Sequence, residues 1–360
     1  MNANNKTKVL VGLSGGVDSA VSAKLLLQKG YNVAAVTLNL LSDNAQEADI
    51  KAAKLTADSL GIKHFVYDAK DEFKKFVIDY FVESYESGLT PNPCFLCNNL
   101  IKFGLMQEYA FKKGFNFIAS GHYAKITYDK TGDIFRLYKG KDKHKDQSYF
   151  LAGLTQAQLS KTIFPLADLT KSEVRQIAKS YNLPCFEKTE SQDICFVHNN
   201  DYTLLIDKIA KDKFREGSFI LSDGKVVGKH AGLHRYTIGQ RRGLNLAFGY
   251  PVYVIKKSSK DNTVTVGKDT ELFCSELFAK DINIIANDVF KQITDRNKNS
   301  NLECLIKTRY KQVPKLGTVL SMQNNIVHIK FNEPERAVAP GQVVVLYMNE
   351  QVIASGIIGK

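Results

Sequence analysis

The sequence contains no apolar run that approaches the roughly 18 residues needed to cross a membrane as a helix. Its opening residues also lack the order of a secretory signal, in which basic residues precede an apolar stretch and then small residues. Both absences favour a protein that avoids the membrane and stays in the cytoplasm. Thiols in that compartment are expected to be reduced.

Cysteine is sparse as well. The 360 residues include too few cysteines for a disulfide framework, namely Cys94, Cys97, Cys185, Cys195, Cys274 and Cys304. Any two that come together in a reducing compartment are expected to be catalytic, redox-active or metal-binding rather than structural.

The charge balance is basic. Lysine and arginine total 49 against 37 acidic residues, a formal net charge of +12. A surplus of this size favours an acidic partner through its long-range field, and solubility alone is the other interpretation. The hydrophobic content of 44% is ordinary for a globular protein. The length predicts two or three domains.

The first 120 residues repeat one unit, in which an apolar strand is followed by a helix, a glycine and the next strand. Glycine just past a helix end accepts the left-handed cap conformation without a steric penalty. The alternation predicts parallel strands with crossover helices, that is, a doubly wound, Rossmann-like α/β sheet. The predicted strands are 8–13, 32–38, 64–68 and 116–120, the helices are 19–29 and 45–60, and the closing glycines are Gly30, Gly61 and Gly114.

After about residue 215 the pattern changes to short segments of period two, separated by glycine and asparagine turns. This pattern predicts antiparallel β structure in small barrels. The clearest segments are 218–221, 253–256, 263–266, 326–331 and 342–347. We therefore predict an α/β domain over residues 1–205, a small β domain over 206–278 and a C-terminal β-barrel over 279–360.

A glycine-rich segment lies where the first predicted strand meets the first helix, Gly12-Leu13-Ser14-Gly15-Gly16-Val17-Asp18-Ser19. Adjacent glycines let the backbone approach an anion, and the amides at the helix start face it. The two serines add hydroxyl donors, and the aspartate suits a magnesium ion. A plain glycine turn with a helix cap is the alternative. The missing lysine excludes a Walker-type loop, and the glycine spacing excludes the dinucleotide pattern.

This segment resembles the Ser-Gly-Gly-x-Asp-Ser loop of the PP-loop ATP pyrophosphatases. The resemblance implies that the chain binds ATP with Mg²⁺, cleaves it between the α and β phosphates and adenylates a carbonyl oxygen. Ligands of open α/β sheets lie at the carboxyl ends of the strands. Leu38 and Gly121 are therefore expected beside the nucleoside. Leu38 is equally suited to a plain core position, whereas glycine at 121 leaves room for the base or ribose.

Cys94 and Cys97 have C-x-x-C spacing at the predicted start of a helix. A helix N-terminus favours the thiolate and lowers a cysteine pKa. The pair alone is compatible with a redox dithiol, half of a metal site or ordinary buried cysteines. No second C-x-x-C follows, which disfavours a four-cysteine zinc site. Cys195, judged alone, would be assigned to the core because Ile194 and Phe196 flank it.

Motifs in chain order are similar to those of the tRNA-specific 2-thiouridylases, a PP-loop family, and the similarity covers essentially the whole chain. The family's activity implies ATP-dependent adenylation of C2 of the wobble uridine in tRNA. Sulfur then passes from a cysteine persulfide, which gives 2-thiouridine, AMP and pyrophosphate. Besides the loop, the motifs are 91–98, 101–103, 121–124, 145–150, 191–196 and 236–244.

The resemblance also implies roles for the cysteines. Cys195 matches the residue that becomes a persulfide, with sulfur delivered by a cysteine desulfurase or a sulfur-relay protein. Cys97 matches the residue that attacks the persulfide or forms a disulfide with Cys195. Asn92, Pro93 and Cys94 match the segment that contacts the target base. Many members have aspartate where this chain has Cys94, so an iron–sulfur cluster on the three cysteines is an alternative chemistry.

A basic run over residues 139–145 is compatible with phosphate contact or with a solvated loop. Arginine beside tyrosine, as at 309 and 310, suits an unstacked anticodon base. For these sites a structural role is the alternative. The residues that match tRNA contacts of the family are His122, Lys145, Asp146, Gln147, Arg309, Tyr310 and Gln342.

Two other kinds of protein are compatible with parts of the sequence. Another PP-loop enzyme, such as an amidating synthetase or a tRNA lysidine synthetase, would share the loop but would need no cysteine pair. A non-catalytic RNA-binding module could use the loop as a nucleotide sensor. The cysteine motifs favour the thiouridylase interpretation over both.

Overall fold

The computed structural model describes residues 7–187, 194–197, 201–294 and 301–359. Helices and short strands dominate the part that precedes residue 188. Its elements are β1 (Lys8–Gly12), α1 (Val17–Gln28), β2 (Asn32–Asn39), α2 (Asn44–Ser59), β3 (His64–Asp68), α3 (Lys70–Phe73), a π-helical segment (Lys74–Asp79), α4 (Tyr80–Glu86), α5 (Pro93–Leu96), a second π-helical segment (Cys97–Leu105), α6 (Met106–Lys112), β4 (Phe117–Ala119), β5 (Ala124–Asp129), β6 (Ile134–Lys139), α7 (Ser148–Leu151), α8 (Gln156–Leu159), β7 (Thr162–Ile163) and α9 (Lys171–Ser180).

Five of these strands form a parallel sheet in the order β3-β2-β1-β4-β7. The order reverses beside β1, so a crevice opens at the carboxyl ends of β1 and β4. The predicted Rossmann-like sheet is confirmed, and the predicted strand ends agree with the observed ones within two residues.

The next part of the chain forms a four-stranded sheet in the order β10-β11-β8-β9. The pair β11–β8 is parallel, whereas its neighbours are antiparallel. The prediction of purely antiparallel pairing is therefore wrong for this pair. The elements are α10 (Tyr202–Ala210), β8 (Gly217–Ile220), β9 (Val226–His230), β10 (Tyr253–Ser258) and β11 (Thr263–Gly267).

The last part is an antiparallel barrel. Its strands follow the order β12-β15-β14-β13-β16-β17, and a β12–β17 pairing closes the ring. The predicted C-terminal barrel is confirmed. The elements are β12 (Phe273–Ile284), α11 (Asn287–Thr294), β13 (Leu302–Lys307), β14 (Lys315–Gln323), β15 (Ile326–Arg336), β16 (Val343–Met348) and β17 (Gln351–Ile358). The predicted domain boundaries at 205/206 and 278/279 fall within α10 and β12 and stay predictions.

The N-terminal part and the barrel are joined by a shared sheet and a shared core. The hairpin β5–β6 adds to the barrel through β17, where Leu137 pairs with Val352. One hydrophobic cluster includes Leu10 of β1, Phe103 of the second π-helical segment, and Val345 of β16. Since these residues are fully buried, the barrel packs directly on the parallel-sheet part. In the described ranges, no helix combines the length and apolar character that spanning a membrane requires.

Candidate active site

The glycine-rich loop runs from the end of β1 to the start of α1. Gly15 has φ +70°, and a Cβ there would lie 2.8 Å from the carbonyl oxygen of Asp49, so only glycine fits. The Ser14 amide donates to Ser19 Oγ at 3.3 Å, and the Ser19 hydroxyl donates to the Gly16 carbonyl at 3.0 Å. Gly16 is the N-cap and has no side chain to satisfy the first helical amides. This geometry suits an anion.

Asp18 is held by two side chains from outside the loop. Its Oδ1 accepts hydrogen bonds from Lys171 Nζ at 2.6 Å and from the Tyr123 hydroxyl at 2.7 Å. Lys171 begins α9, and its backbone amide donates to Asp142 at 2.8 Å. Neither partner of Asp18 was predicted as a site residue. The contact of Lys171 with Asp18 could not be predicted from a short motif, because the two residues lie 153 positions apart.

Gly121 follows β4 and lies against the loop. A Cβ at this position would be 2.7 Å from the backbone carbon of Asp18 and 2.8 Å from the Ser19 amide nitrogen. Leu38, at the end of β2, is partly buried and packs on two hydrophobic clusters. The loop, Leu38 and Gly121 therefore share the carboxyl edge of the sheet, and their contact with a nucleoside stays a prediction. Leu38 also fits the alternative interpretation as a core residue.

The cysteine-bearing helix passes the same edge. Asn92 caps α5 by accepting the Phe95 amide at 3.2 Å, and Pro93 occupies the first turn. Further along, Met106 Sδ lies 3.3 Å from the position that a Gly12 Cβ would take. The helix that carries Cys94 and Cys97 is thus in contact with the end of β1.

Cys195 is brought to Cys97 by its neighbour Phe196. The Phe196 ring packs edge-to-face on Phe73 and Phe81, with centroid distances of 5.7 and 5.4 Å. Phe196 and Cys97 belong to one hydrophobic cluster. Cys97 is buried, Cys195 is exposed, and both are free thiols. Two segments about 100 residues apart therefore meet at the edge of the sheet.

Burial raises the pKa of Cys97 to about 11. Burial also raises the pKa of Cys94. Although Cys195 is exposed, the protein packed behind its thiol and, next, the Cys97 thiol raise its pKa. The expectation that a helix N-terminus lowers the pKa of Cys94 and Cys97 is wrong. Because α5 is a single turn and the thiols lie among apolar groups, desolvation outweighs the helix dipole.

Lys102 is the positive charge that opposes this effect. It lowers the pKa of Cys94, Cys97 and Cys195, against the larger effect of desolvation. Lys102 lies in the π-helical segment that begins at Cys97. The sequence placed it in a family motif but assigned it no role.

Replacing Lys102 with methionine is expected to shift the pH profile of Cys97 alkylation to higher pH. Without the cation the thiolate is less stable, so the pKa of Cys97 rises. The measurement is iodoacetamide labelling across pH with peptide mass spectrometry, in the absence of RNA. Lys112→Met, an exposed position on the same helix, is the matched control. Identical profiles for Lys102→Met and the unmodified chain would remove the electrostatic role.

His122 is enclosed by aromatic rings. Its ring centroid lies 5.6 Å from Phe103 and 6.0 Å from Phe164, and Nδ1 hydrogen-bonds Ser120 Oγ at 2.8 Å. Burial, followed by Lys102, holds the pKa of His122 well below its ordinary value. The imidazole is therefore neutral near pH 7 and can accept or donate a hydrogen bond.

Asp146 and Gln147 hold the predicted RNA-contact loop together. The buried Asp146 carboxylate accepts hydrogen bonds from the Gly140 amide and from the amide and hydroxyl of Ser148, at 2.9 to 3.2 Å. The Gln147 side chain accepts the Tyr123 amide at 3.0 Å. The exposed members of the basic run are Lys141, Lys143 and His144, whereas Lys145 is half-buried.

Arg309 and Tyr310 lie beside the helix that follows this loop. The Tyr310 ring packs on Phe150 with a centroid distance of 4.3 Å. Arg309 donates to the Ala337 carbonyl and, at 3.4 Å, to the Ile238 carbonyl. Lys307, which had not been predicted, lies over the Tyr310 ring at 5.5 Å. The loop and the barrel therefore come together in one cluster of aromatic rings and cations, in which Lys307 is buried.

Gln342 lies at the turn before β16, and its side-chain amide donates to the carbonyls of Thr90 and Pro91.

The alternative of a metal site or iron–sulfur cluster on the cysteines has no geometric support in the described part of the chain. Within the described ranges, no group of three or more histidine, cysteine, aspartate or glutamate side chains is placed to hold a metal ion.

These features define a class: an α/β enzyme of the PP-loop type, with two appended β units and a pair of cysteines at the carboxyl edge of the parallel sheet. Three family models match in succession, described as a tRNA methyl transferase HUP domain (residues 7–199), a tRNA methyl transferase PRC-barrel domain (205–268) and an aminomethyltransferase beta-barrel domain (281–358).

Full-length relatives narrow the class. A tRNA-specific 2-thiouridylase MnmA of Treponema denticola is 51% identical, over 98% of this chain and 97% of the relative. Another, of Clostridium kluyveri, is 40% identical over 98% and 99%. The chain belongs to the tRNA-specific 2-thiouridylase family, which confirms the resemblance drawn from the motifs.

Among solved structures, the U34-tRNA thiolase NcsA of Methanococcus maripaludis with its 4Fe-4S cluster has a TM-score of 0.36. It is 22% identical and covers 58% of this chain and 66% of its own.

Proposed function

We propose that this chain is the enzyme that converts the C2 oxygen of the wobble uridine of tRNA to sulfur, using ATP and a cysteine persulfide. The observation that carries the proposal is the meeting of Cys97 and the Cys195 segment in one cluster, on a helix that contacts the end of β1. Family membership supports the same reaction. The free thiols suit a reducing cytoplasm.

The loop residues fit a nucleotide triphosphate. Amides and hydroxyls of residues 12–19 would bind the phosphates, and the carboxyl ends of β2 and β4 would flank the nucleoside. Asp18 would hold Mg²⁺, which supplies charge neutralisation on the phosphates when bound. Lys171 and Tyr123 fix the Asp18 carboxylate for that task.

The proposed reaction has two stages. The uridine C2 oxygen attacks the α phosphate of ATP, and pyrophosphate leaves. The terminal sulfur of a Cys195 persulfide then attacks C2, and AMP departs with the original oxygen. The Cys97 thiolate attacks Cys195 Sγ and forms a disulfide, so the electron pair of the broken S–S bond stays on the sulfur bound to C2. A cellular dithiol afterwards reduces the disulfide.

The exposed position of Cys195 supports sulfur delivery by a second protein, a cysteine desulfurase or a relay protein. The tRNA anticodon region would lie on the surface formed by the basic loop and Tyr310. Asn92, Pro93 and Cys94 would face the target base. We propose the persulfide route rather than a cluster on Cys94, Cys97 and Cys195.

The family-model descriptions name a methyl transferase, so methylation of tRNA is a second candidate. Methyl transfer needs neither an ATP-cleaving loop nor two convergent cysteines, and both features favour thiolation.

Nucleoside mass spectrometry of tRNA from cells that lack this protein tests both candidates. We expect 2-thiouridine derivatives to disappear while methylated uridines remain, and a plasmid copy of the gene to restore the thiolated nucleosides. Unchanged 2-thiouridine, or loss of a methylated nucleoside instead, would contradict thiolation.

A further inference from the structure

The segment that leads into the cysteine helix is held by both β units. The Gln342 side-chain amide donates to the carbonyls of Thr90 and Pro91, each at 3.1 Å. The Thr90 amide donates to the Pro340 carbonyl at 2.8 Å. From the central sheet, the buried Lys257 donates to the Leu89 carbonyl at 3.4 Å. Backbone groups of three consecutive residues, 89 to 91, are thus fixed from outside their own domain.

Gly341 makes this close approach possible. It has φ +92°, and a Cβ there would lie 2.8 Å from Leu89 Cβ and 2.9 Å from the Thr90 nitrogen. The turn is tied to the end of the barrel, because the Gly341 amide donates to the Ile358 carbonyl at 2.9 Å. Glycine at 341 therefore brings the neighbouring Gln342 amide within reach of the segment.

A second connection reaches the segment one residue further along. The Asn92 side chain lies close enough to Tyr149 to lower the pKa of its hydroxyl against the larger effect of burial, and the Tyr149 hydroxyl donates to the Val343 carbonyl at 2.7 Å. Asn92 in turn caps α5, which leads directly to Cys97. The start of β16 therefore sets the path of the chain up to the catalytic thiol.

The hydrogen-bonding capacity of Gln342 decides what it can do. A primary amide has two N–H donors, and both are used on carbonyl oxygens. A phosphate oxygen only accepts, so contact with the RNA backbone would require one of these bonds to break. The position is suited to holding the segment rather than to binding an RNA phosphate.

We propose that Gln342 is a positioning residue, through which the C-terminal barrel fixes segment 89–92 and thereby the orientation of Asn92 and Cys97. Lys257 acts in the same way from the central sheet. The part of this inference that concerns sulfur transfer rests on the proposed function, whereas the part that concerns the thiol does not.

The test compares Gln342→Glu and Gln342→Ala with Gln323→Ala, an exposed glutamine on the same barrel. Glutamate keeps the shape of glutamine but cannot donate, and its charge repels the two carbonyls. Three quantities are measured: iodoacetamide labelling of Cys97 relative to the buried Cys185, tRNA affinity by filter binding, and single-turnover thiolation at saturating tRNA.

We expect both Gln342 variants to label Cys97 at least about fivefold faster relative to Cys185, and to thiolate roughly tenfold more slowly. Their affinity for tRNA should stay within about twofold of the wild-type chain, because no phosphate contact is lost. Lys257→Met should accelerate Cys97 labelling in the same direction and serves if the Gln342 variants fail to fold.

Weaker tRNA binding with unchanged labelling and a normal rate at saturating tRNA would make Gln342 an RNA contact and overturn the proposal. Unchanged labelling in every variant would overturn it as well. If the Gln342 variants label Cys97 faster but the wild-type chain thiolates no tRNA, the positioning role is retained and the proposed function is rejected.

Discussion

Cys195→Ser is expected to abolish thiolation of tRNA while leaving tRNA-dependent pyrophosphate release within about twofold of the unmodified chain. Serine cannot carry sulfane sulfur, so the second stage has no donor. The first stage, in which pyrophosphate is released, depends on the loop at residues 12–19, and Cys195 is not part of that loop. The measurements are thiolated-nucleoside yield by mass spectrometry and pyrophosphate release by a coupled assay.

Cys185→Ser is the control, since Cys185 is a buried cysteine in a different hydrophobic cluster. It should retain both activities if the chain folds. A Cys97→Ser, Cys195→Ser double variant that still modifies tRNA normally would favour a PP-loop enzyme without thiol chemistry. Loss of pyrophosphate release together with thiolation in Cys195→Ser would count against the assigned role.

The parallel sheet could be predicted because each strand and helix is defined by its own residues. The observed β3, His64–Asp68, has the predicted ends. The ends of α1 and α2 could be predicted from the glycines that follow them, since Gly30 and Gly61 adopt positive φ. Local chemistry of this kind is visible without knowledge of the fold.

The hairpin β5–β6 was not predicted. Its outer partner is β17, more than 200 residues further along, with Gln351 paired to Tyr138. The parallel β11–β8 pair was missed for a similar reason, because antiparallel and parallel partners share the same alternation of residues. Strand pairing across long separations depends on tertiary packing, which composition and period do not encode.

The candidate site divides in the same way. The loop, Gly121 and the cysteine segments could be found because they are short motifs. Lys171 and Lys257 could not, since each hydrogen-bonds a residue more than 100 positions away. Lys307 lies over the ring of the nearby Tyr310 and also over that of Tyr149, and the second contact depends on the folded chain. The thiol pKa values were predicted in the wrong direction, because burial is a property of the folded chain and outweighs the local helix start.

Gly121→Ala is expected to reduce tRNA-dependent pyrophosphate release by roughly 5- to 150-fold, from an overpacking cost of about 1 to 3 kcal/mol. The added Cβ would lie 2.7 Å from the Asp18 backbone carbon and 2.8 Å from the Ser19 nitrogen. Since these are backbone atoms, neither can turn aside as a side chain does. Either the loop or the end of β4 must move, and both lie at the carboxyl edge of the sheet, where the nucleotide is proposed to bind.

Gly132→Ala is the matched control for this prediction. Its added Cβ would meet the end of the Ile134 side chain at 3.2 Å. Ile134 begins β6, which is not a strand of the parallel sheet. That side chain can yield, so pyrophosphate release should be retained. Thermal unfolding of both variants separates loss of the loop geometry from loss of the fold. Full pyrophosphate release by a folded Gly121→Ala chain would mean that the loop tolerates displacement, and the close approach of β4 would then have no part in nucleotide binding.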